Sequence, residues 1–194
     1  PAGTTSCVLG TSSGIHAWHD KYYIRRIRVG KNEAIYNYLT LNHANLIEDC
    51  VFRPHDTAVI SLPQKAPKGA TTRDESAIDL LERVKWIATQ WVNEGHTQGM
   101  NTHNVSATIS IRDEEWNGVA KWMWDNRRYY NGLSVLPYDG GSYKQAPFED
   151  CSKETYEAML KSLTDIDLTN VYEADDNTNL TDQAACAGGA CEVV

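Results

Sequence analysis

The sequence predicts an α/β fold, and three observations carry that prediction. Between Asp74 and Val92, the residues Ile78, Leu81, Val84, Ile87 (or Ala88) and Trp91 recur at three- and four-residue spacing, the period of a helix with one buried face. Between Asn104 and Ile111, Val105, Ala107, Ile109 and Ile111 alternate with polar partners, which is the period of a strand. Helical and strand-like stretches then follow one another, the order that builds a parallel sheet with both faces covered.

The elements follow in order. The opening Pro1-Ala-Gly-Thr-Thr-Ser-Cys-Val-Leu-Gly10 reads as a small-residue loop feeding a helix N-terminus, with a turn over Thr11 to Gly14. Ile24 to Val29 alternates apolar and basic residues and reads as extended. Asn32 to Leu41 reads as a short helix with Asn32 as its cap. Asp56 to Leu62 is strand-like and is ended by Pro63. The long helix stops at Gly95 and Gly99, the 104–111 strand follows, and Asp113 to Arg127 forms another helix. Leu133 to Leu136 is a short strand stopped by Pro137 and the Tyr138-Asp-Gly-Gly141 turn. Ser152-Lys-Glu-Thr155 caps a last helix to about Leu163. Three strands are too few for a closed barrel, and no internal repeat is visible.

Composition sets bounds on function. With 194 residues, 41% hydrophobic and 23% charged, the chain is that of an ordinary folded protein up to about residue 160. A net charge of -8 argues against a general nucleic-acid binder, because such affinity is built from Lys and Arg neutralising phosphates. No stretch reaches the roughly 18 to 20 apolar residues needed to span a bilayer, and the N-terminus lacks signal-peptide regions. A cytoplasmic location is expected. The five cysteines, Cys7, Cys50, Cys151, Cys186 and Cys191, do not form the framework of a small secreted domain.

Two constellations carry candidate chemistry. The first is the start: in Pro1-Ala2-Gly3-Thr4-Thr5-Ser6, small residues let backbone N–H groups approach a phosphate. The hydroxyls of Thr4, Thr5 and Ser6 add donors, and a following helix adds its positive end. Runs of this kind also serve as plain turns or caps. The second is the end: Cys186 and Cys191 are spaced C-x4-C around Gly-Gly, on a stretch from Thr164 onward that contains no Lys or Arg. Glycine lets such a loop close into a disulfide, and a terminal position suits thiol–disulfide exchange; two unpaired thiols are the plainer reading. A flexible segment of about 20 residues reaches roughly 25 Å, enough to enter a nearby site.

The other signals point to structure. His16-x-x-His19 lacks a third ligand at recognisable spacing, so no metal site is assigned. Arg25, Arg26 and Arg28 pair with the acidic surplus or bind phosphates. Trp86, Trp91, Trp116, Trp122 and Trp124 sit mostly at helical spacings and read as packing residues, and Cys7, Cys50 and Cys151 as buried thiols.

Several separated motifs, taken together and in order, resemble the C-terminal part of the ribonucleotide reductase catalytic subunit. They are Pro1-Ala-Gly-Thr-Thr-Ser6, Gly14-Ile-His16, Tyr22-Tyr-Ile-Arg-Arg26, Asn104-Val-Ser-Ala-Thr-Ile109, Gly132-Leu-Ser-Val-Leu-Pro-Tyr138 and Gln145-Ala-Pro-Phe-Glu149. The tail pair completes the set, and the likeness is greatest to the adenosylcobalamin-dependent (class II) branch. The resemblance implies that residues 1–163 are part of a ten-stranded α/β barrel and residues 164–194 a flexible acidic tail. It implies that Ala2, Gly3, Thr4, Thr5 and Ser6 hold the substrate's phosphates. Cys186 and Cys191 would re-reduce an active-site disulfide and then be reduced by a thioredoxin-like protein. The cofactor implied is adenosylcobalamin and the substrate a ribonucleotide.

The departures are as informative. The Asn-x-Cys-x-Glu loop that carries the family's radical cysteine does not occur here, and the two barrel thiols belong upstream of the phosphate loop. The resemblance therefore implies an N-terminal half as obligatory partner, separated by a split gene or by division of a longer protein. The tyrosine pair of the metal-dependent (class I) branch belongs inside the last barrel strand, whereas Tyr129-Tyr130 precedes Leu133 to Leu136. The alternatives are a class I segment, a free-standing thiol–disulfide interaction module and a remnant without a partner.

Overall fold

In the computed structural model, residues 3–138 and 143–173 are described. They fall into two compact units. The described parts of Pro1–Trp18 and Gly69–Gly140 form one, and His19–Lys68 with the described part of Gly141–Ala185 forms the other.

In the first unit, α1 (Gly3–Leu9) ends in a turn, and α3 (Ala77–Ile87), which the chain reaches only after passing through His19–Lys68 of the second unit, packs with α4 (Trp116–Asp125) on the parallel strands β4 (Ala107–Ile111) and β5 (Leu133–Pro137). Alternation along β4 puts Ala107, Ile109 and Ile111 on the helix-covered face, where Ile109 is fully buried. Leu80, Leu81 and Val84 of α3 and Val119 and Trp122 of α4 meet them. Thr108 and Ser110 take the opposite, polar face. The buried indole of Trp122 donates to the Glu82 carboxylate, which satisfies the one polar group that the ring brings into the core. Ser76 caps α3 by accepting from Asp79 N, and Asp79 accepts in return from Ser76 N. The cap thus lies two residues inside the boundary at Asp74 expected from the periodicity.

The tryptophans correct the packing expectation. Only Trp122 is buried; Trp86, Trp124 and Trp91 are exposed, Trp91 by 77%, and Trp116 is at 38%. Trp86 lies two residues past Val84, on the far side of the buried stripe. After Ile87 the helix widens into a π-helical turn over Ala88–Val92 before a last turn at Asn93–Gly95. The wider turn breaks the 3.6-residue phase on which the expected burial of Trp91 depended.

In the second unit, β1 (Tyr22–Gly30), β2 (Ile47–Asp49), β3 (Thr57–Lys65) and β6 (Phe148–Asp150) form an antiparallel sheet in the order β2-β3-β1-β6. Among the described strands, the parallel construction expected from element order holds for β4 and β5 and not for this sheet. The strand read at 56–62 instead pairs antiparallel along the whole of β1, from Tyr22↔Lys65 to Gly30↔Thr57. Pro63 does not end β3, because β2 pairs only as far as Ile60 and the far side of β3 needs no N–H at position 63. The helix α2 (Ala34–Asn42) begins at Glu33 rather than Asn32, with the Glu33 carboxylate accepting from Gly30 N at 2.7 Å. Val29, Leu39, Ala58 and Ile60 form this unit's core, and Ile166 packs against it. The last helix, α5 (Lys153–Ser162), is capped by Ser152 accepting from Thr155 N, as the sequence predicts.

Candidate functional site

Ala2 of the expected phosphate loop lies outside the described residues. From Gly3 the chain is already helical, with Thr5 exposed and Ser6 buried. The first turn of α1 carries no acidic residue of its own to repel an anion at its amides. The helix ends on Gly10 at φ +62°, and Thr11 N donates back to Ser6 O at 3.0 Å. That closure needs a left-handed residue, which glycine supplies without strain.

Three contacts fix the chain that leaves α1. His16 Nε2 accepts from Thr108 N of β4 at 3.0 Å, so the ring hydrogen sits on Nδ1, which donates to Ser13 O at 2.7 Å. Arg83 of α3 forks onto Glu75, at 2.6 and 3.2 Å, and also reaches Ile15 O at 3.1 Å. Its charge is held more firmly still by the Glu75 carboxylate, which raises its pKa against the cost of burial. Trp18 bridges to Thr72 in parallel, with Trp18 N donating to Thr71 O. One ring nitrogen of His16 thus takes an amide of β4 and the other a carbonyl of the turn before it. Among the described residues no group of three or more His, Cys, Asp or Glu converges as ligands would.

The carboxyl end of the β4–β5 pair carries a cluster that the sequence reading missed. The Arg112 and Arg73 guanidiniums stand 5.0 and 5.5 Å from the Tyr138 ring, and Tyr138 N donates to Ile111 O. Arg112 also donates to the carbonyls of Arg73 and Glu75. Glu115 accepts from Arg112 N at 3.0 Å and, with its other oxygen, from Ala77 N at the start of α3. One carboxylate thus ties two loops at the end of a parallel pair, the end where α/β sheets bind ligands. The signal available in the sequence was an arginine directly after the predicted 104–111 strand.

Two of the quoted motifs prove to be partners in space. Arg25, Arg26 and Arg28 of β1 hold the stretch 145–149: Arg26 pairs with Glu149 at 2.6 Å, Arg25 donates to Pro147 O and stacks 4.3 Å from Phe148, and Arg28 donates to Gln145 O. Gln145 is buried at φ +57°, and its amide spans Val51 N and Asp49 O, both at 2.8 Å. These contacts hold a non-glycine residue in the left-handed region. His19 stacks on Phe148, with Nε2 2.8 Å from Asp150.

Cys50 is buried as expected and Cys151 is partly so. Burial alone would raise the Cys50 thiol, but the Phe52 and Arg53 amides and the Arg28 guanidinium outweigh it and hold its pKa below the usual value. Burial pushes the Cys151 thiol up, helped by Asp20, Glu149 and Asp150. The tail pair, Cys186 and Cys191, lies outside the described residues.

No family model matches the chain. Among curated proteins it is similar to the adenosylcobalamin-dependent ribonucleoside-triphosphate reductase of Lactobacillus gasseri, 31% identical over 197 aligned residues that take in all of this chain and 26% of the relative. The reductase of the same name from Euglena gracilis is 29% identical over 98% of this chain and 25% of its own length. Among solved structures, a B12-dependent (class II) ribonucleotide reductase superposes with a TM-score of 0.68 at 27% identity, over 86% of this chain and 22% of that one. The chain thus spans about a quarter of the length of these relatives. It belongs to the ribonucleotide reductases, as a C-terminal part of a class II reductase chain.

Proposed function

We propose that this chain completes the catalytic barrel of an adenosylcobalamin-dependent ribonucleotide reductase and supplies its reductant tail. The observation that carries the proposal is the fold likeness to a class II reductase over 86% of the chain, with reductases of one name spanning all of it. Residues 1–163 form part of the wall of a ten-stranded barrel, with β4 and β5 as two of its strands, and residues 164–194 include the flexible tail. The upstream part of the reductase, on a longer version of this chain or on a separate polypeptide, carries the radical cysteine and the two barrel thiols.

In the assembled enzyme the amides and hydroxyls of Ala2 to Ser6 hold the phosphates of a ribonucleotide. A thiyl on the upstream part abstracts the 3'-hydrogen, the 2'-hydroxyl leaves as water, the barrel dithiol gives two electrons and two protons and becomes a disulfide, and the 3'-hydrogen is handed back so that the thiyl is re-formed. Cys186 and Cys191 reduce that disulfide by exchange, becoming oxidised themselves, and a thioredoxin-like protein restores them. The open groove beside α2, about 560 Å³, is lined largely by Asn37, Tyr38, Asn42 and Asn170 to Tyr172. Adenosylcobalamin, which would start the radical, is assigned to the assembled enzyme.

Deoxyribonucleotide formation by the assembled protein should depend on added adenosylcobalamin and a dithiol. Activity that instead required a metal-loaded second subunit would move the chain to the class I branch. No helix among the described residues is long and apolar enough to cross a membrane.

A further inference from the structure

Beyond α5 the described residues 163–173 stay packed on the second unit. Asn45 Nδ2 donates to Ser162 O at 3.2 Å, and the Thr164 hydroxyl lies 3.1 Å from Nδ1 of the buried His43. Ile166 packs on the core of Val29, Leu39, Ala58 and Ile60. Asp167 then caps a short 3-10 turn, Leu168–Asn170, accepting from Thr169 N at 3.0 Å, from its hydroxyl at 2.6 Å and from Asn170 Nδ2 at 2.8 Å. These bonds hold the Asp167 carboxyl below its usual pKa. Asn170, Val171 and Tyr172 finally line the groove against α2.

We infer that residues 162–172 are a clasp that anchors the reductant tail on α2 and the four-stranded sheet, with His43, Asn45 and Ile166 as positioning residues for the Cys186–Cys191 pair. The inference rests on the carrier role proposed above and adds the length of the tether. From Thr164 to Cys186 are 22 residues, and from Glu173 only 13. A flexible chain of those lengths spans roughly 26 Å and roughly 20 Å. Within reach, effective concentration falls as about the 3/2 power of tether length, so the clasp raises delivery to a nearby disulfide about two-fold. Several polar bonds and one apolar plug are more than a tether needs if its only task is to be long.

The test compares turnover driven by a thioredoxin system with turnover driven by dithiothreitol, which reduces the barrel disulfide without the tail. The protein is the assembled reductase, carrying Ile166→Ser, the pair Asn45→Ala with Thr164→Val, or a nine-residue Gly/Ser insertion after Glu173. The expected result is an approximately two-fold fall in kcat with thioredoxin in all three, unchanged KM for nucleotide, and unchanged dithiothreitol turnover. Equal losses with both reductants, or no loss with either, would overturn the clasp. A parent enzyme that turns over with dithiothreitol but not with any thioredoxin would overturn the carrier role, and the clasp with it. Because the insertion leaves every clasp contact intact, its effect separates tether length from folding.

Discussion

Cys186→Ser or Cys191→Ser should abolish multiple turnover with a thioredoxin system while leaving a single turnover by the prereduced enzyme intact. In the proposed mechanism each reduction oxidises the barrel dithiol once, so the first product needs no tail. Every later product needs a dithiol that can attack that disulfide and then resolve the mixed disulfide through its neighbour. One thiol can make the attack but cannot finish it, so either serine variant stops the cycle at the same point. Rapid-quench measurement of product per enzyme gives the answer. Loss of the first turnover would mean that these cysteines do something other than carry electrons.

Leu81→Ala should destabilise the chain by about 3 kcal/mol, within the roughly 2 to 5 kcal/mol that large-to-small core changes cost. Leu81 is fully buried between β4 and α4, at the centre of the first unit's core, and truncation leaves a cavity whose walls belong to three elements. Trp91→Ala removes a much larger side chain at 77% exposure, so it should cost no more than about 0.5 kcal/mol. Urea unfolding of the two variants reads both numbers from the midpoints at unchanged slope. A Trp91 effect as large as that of Leu81 would contradict the π-turn geometry that turns this ring outward.

The same pair shows which parts of the fold are legible in the sequence. Leu81 was readable because a regular helix converts spacing into facing. Trp91 was not, because no residue type signals the extra width of the Ala88–Val92 turn. The strand β4 could be read from its alternation, β5 from its short apolar run before Pro137, and the Ser152 cap from its residue type. The antiparallel pairing of β1 with β3 and β6 could not, since strand direction is set by partners far along the chain. For the site, the resemblance supplied the roles, and local sequence supplied only candidates. Arg25, Arg26 and Arg28 carry the charge a phosphate site would need. What assigns them to the 145–149 stretch is a contact across some 120 residues, between two motifs quoted separately. Arg112 and Arg73 were missed for the same reason, as their shared ring, Tyr138, lies on another strand's end.

The measurement that tests the central claim most directly is ribonucleotide reduction with adenosylcobalamin and a dithiol, run with this chain alone, with the upstream part alone and with the two together. The account predicts deoxyribonucleotide in the mixture and none in either part. Two parts that assemble stably and still make no product would contradict it, as would product from this chain alone.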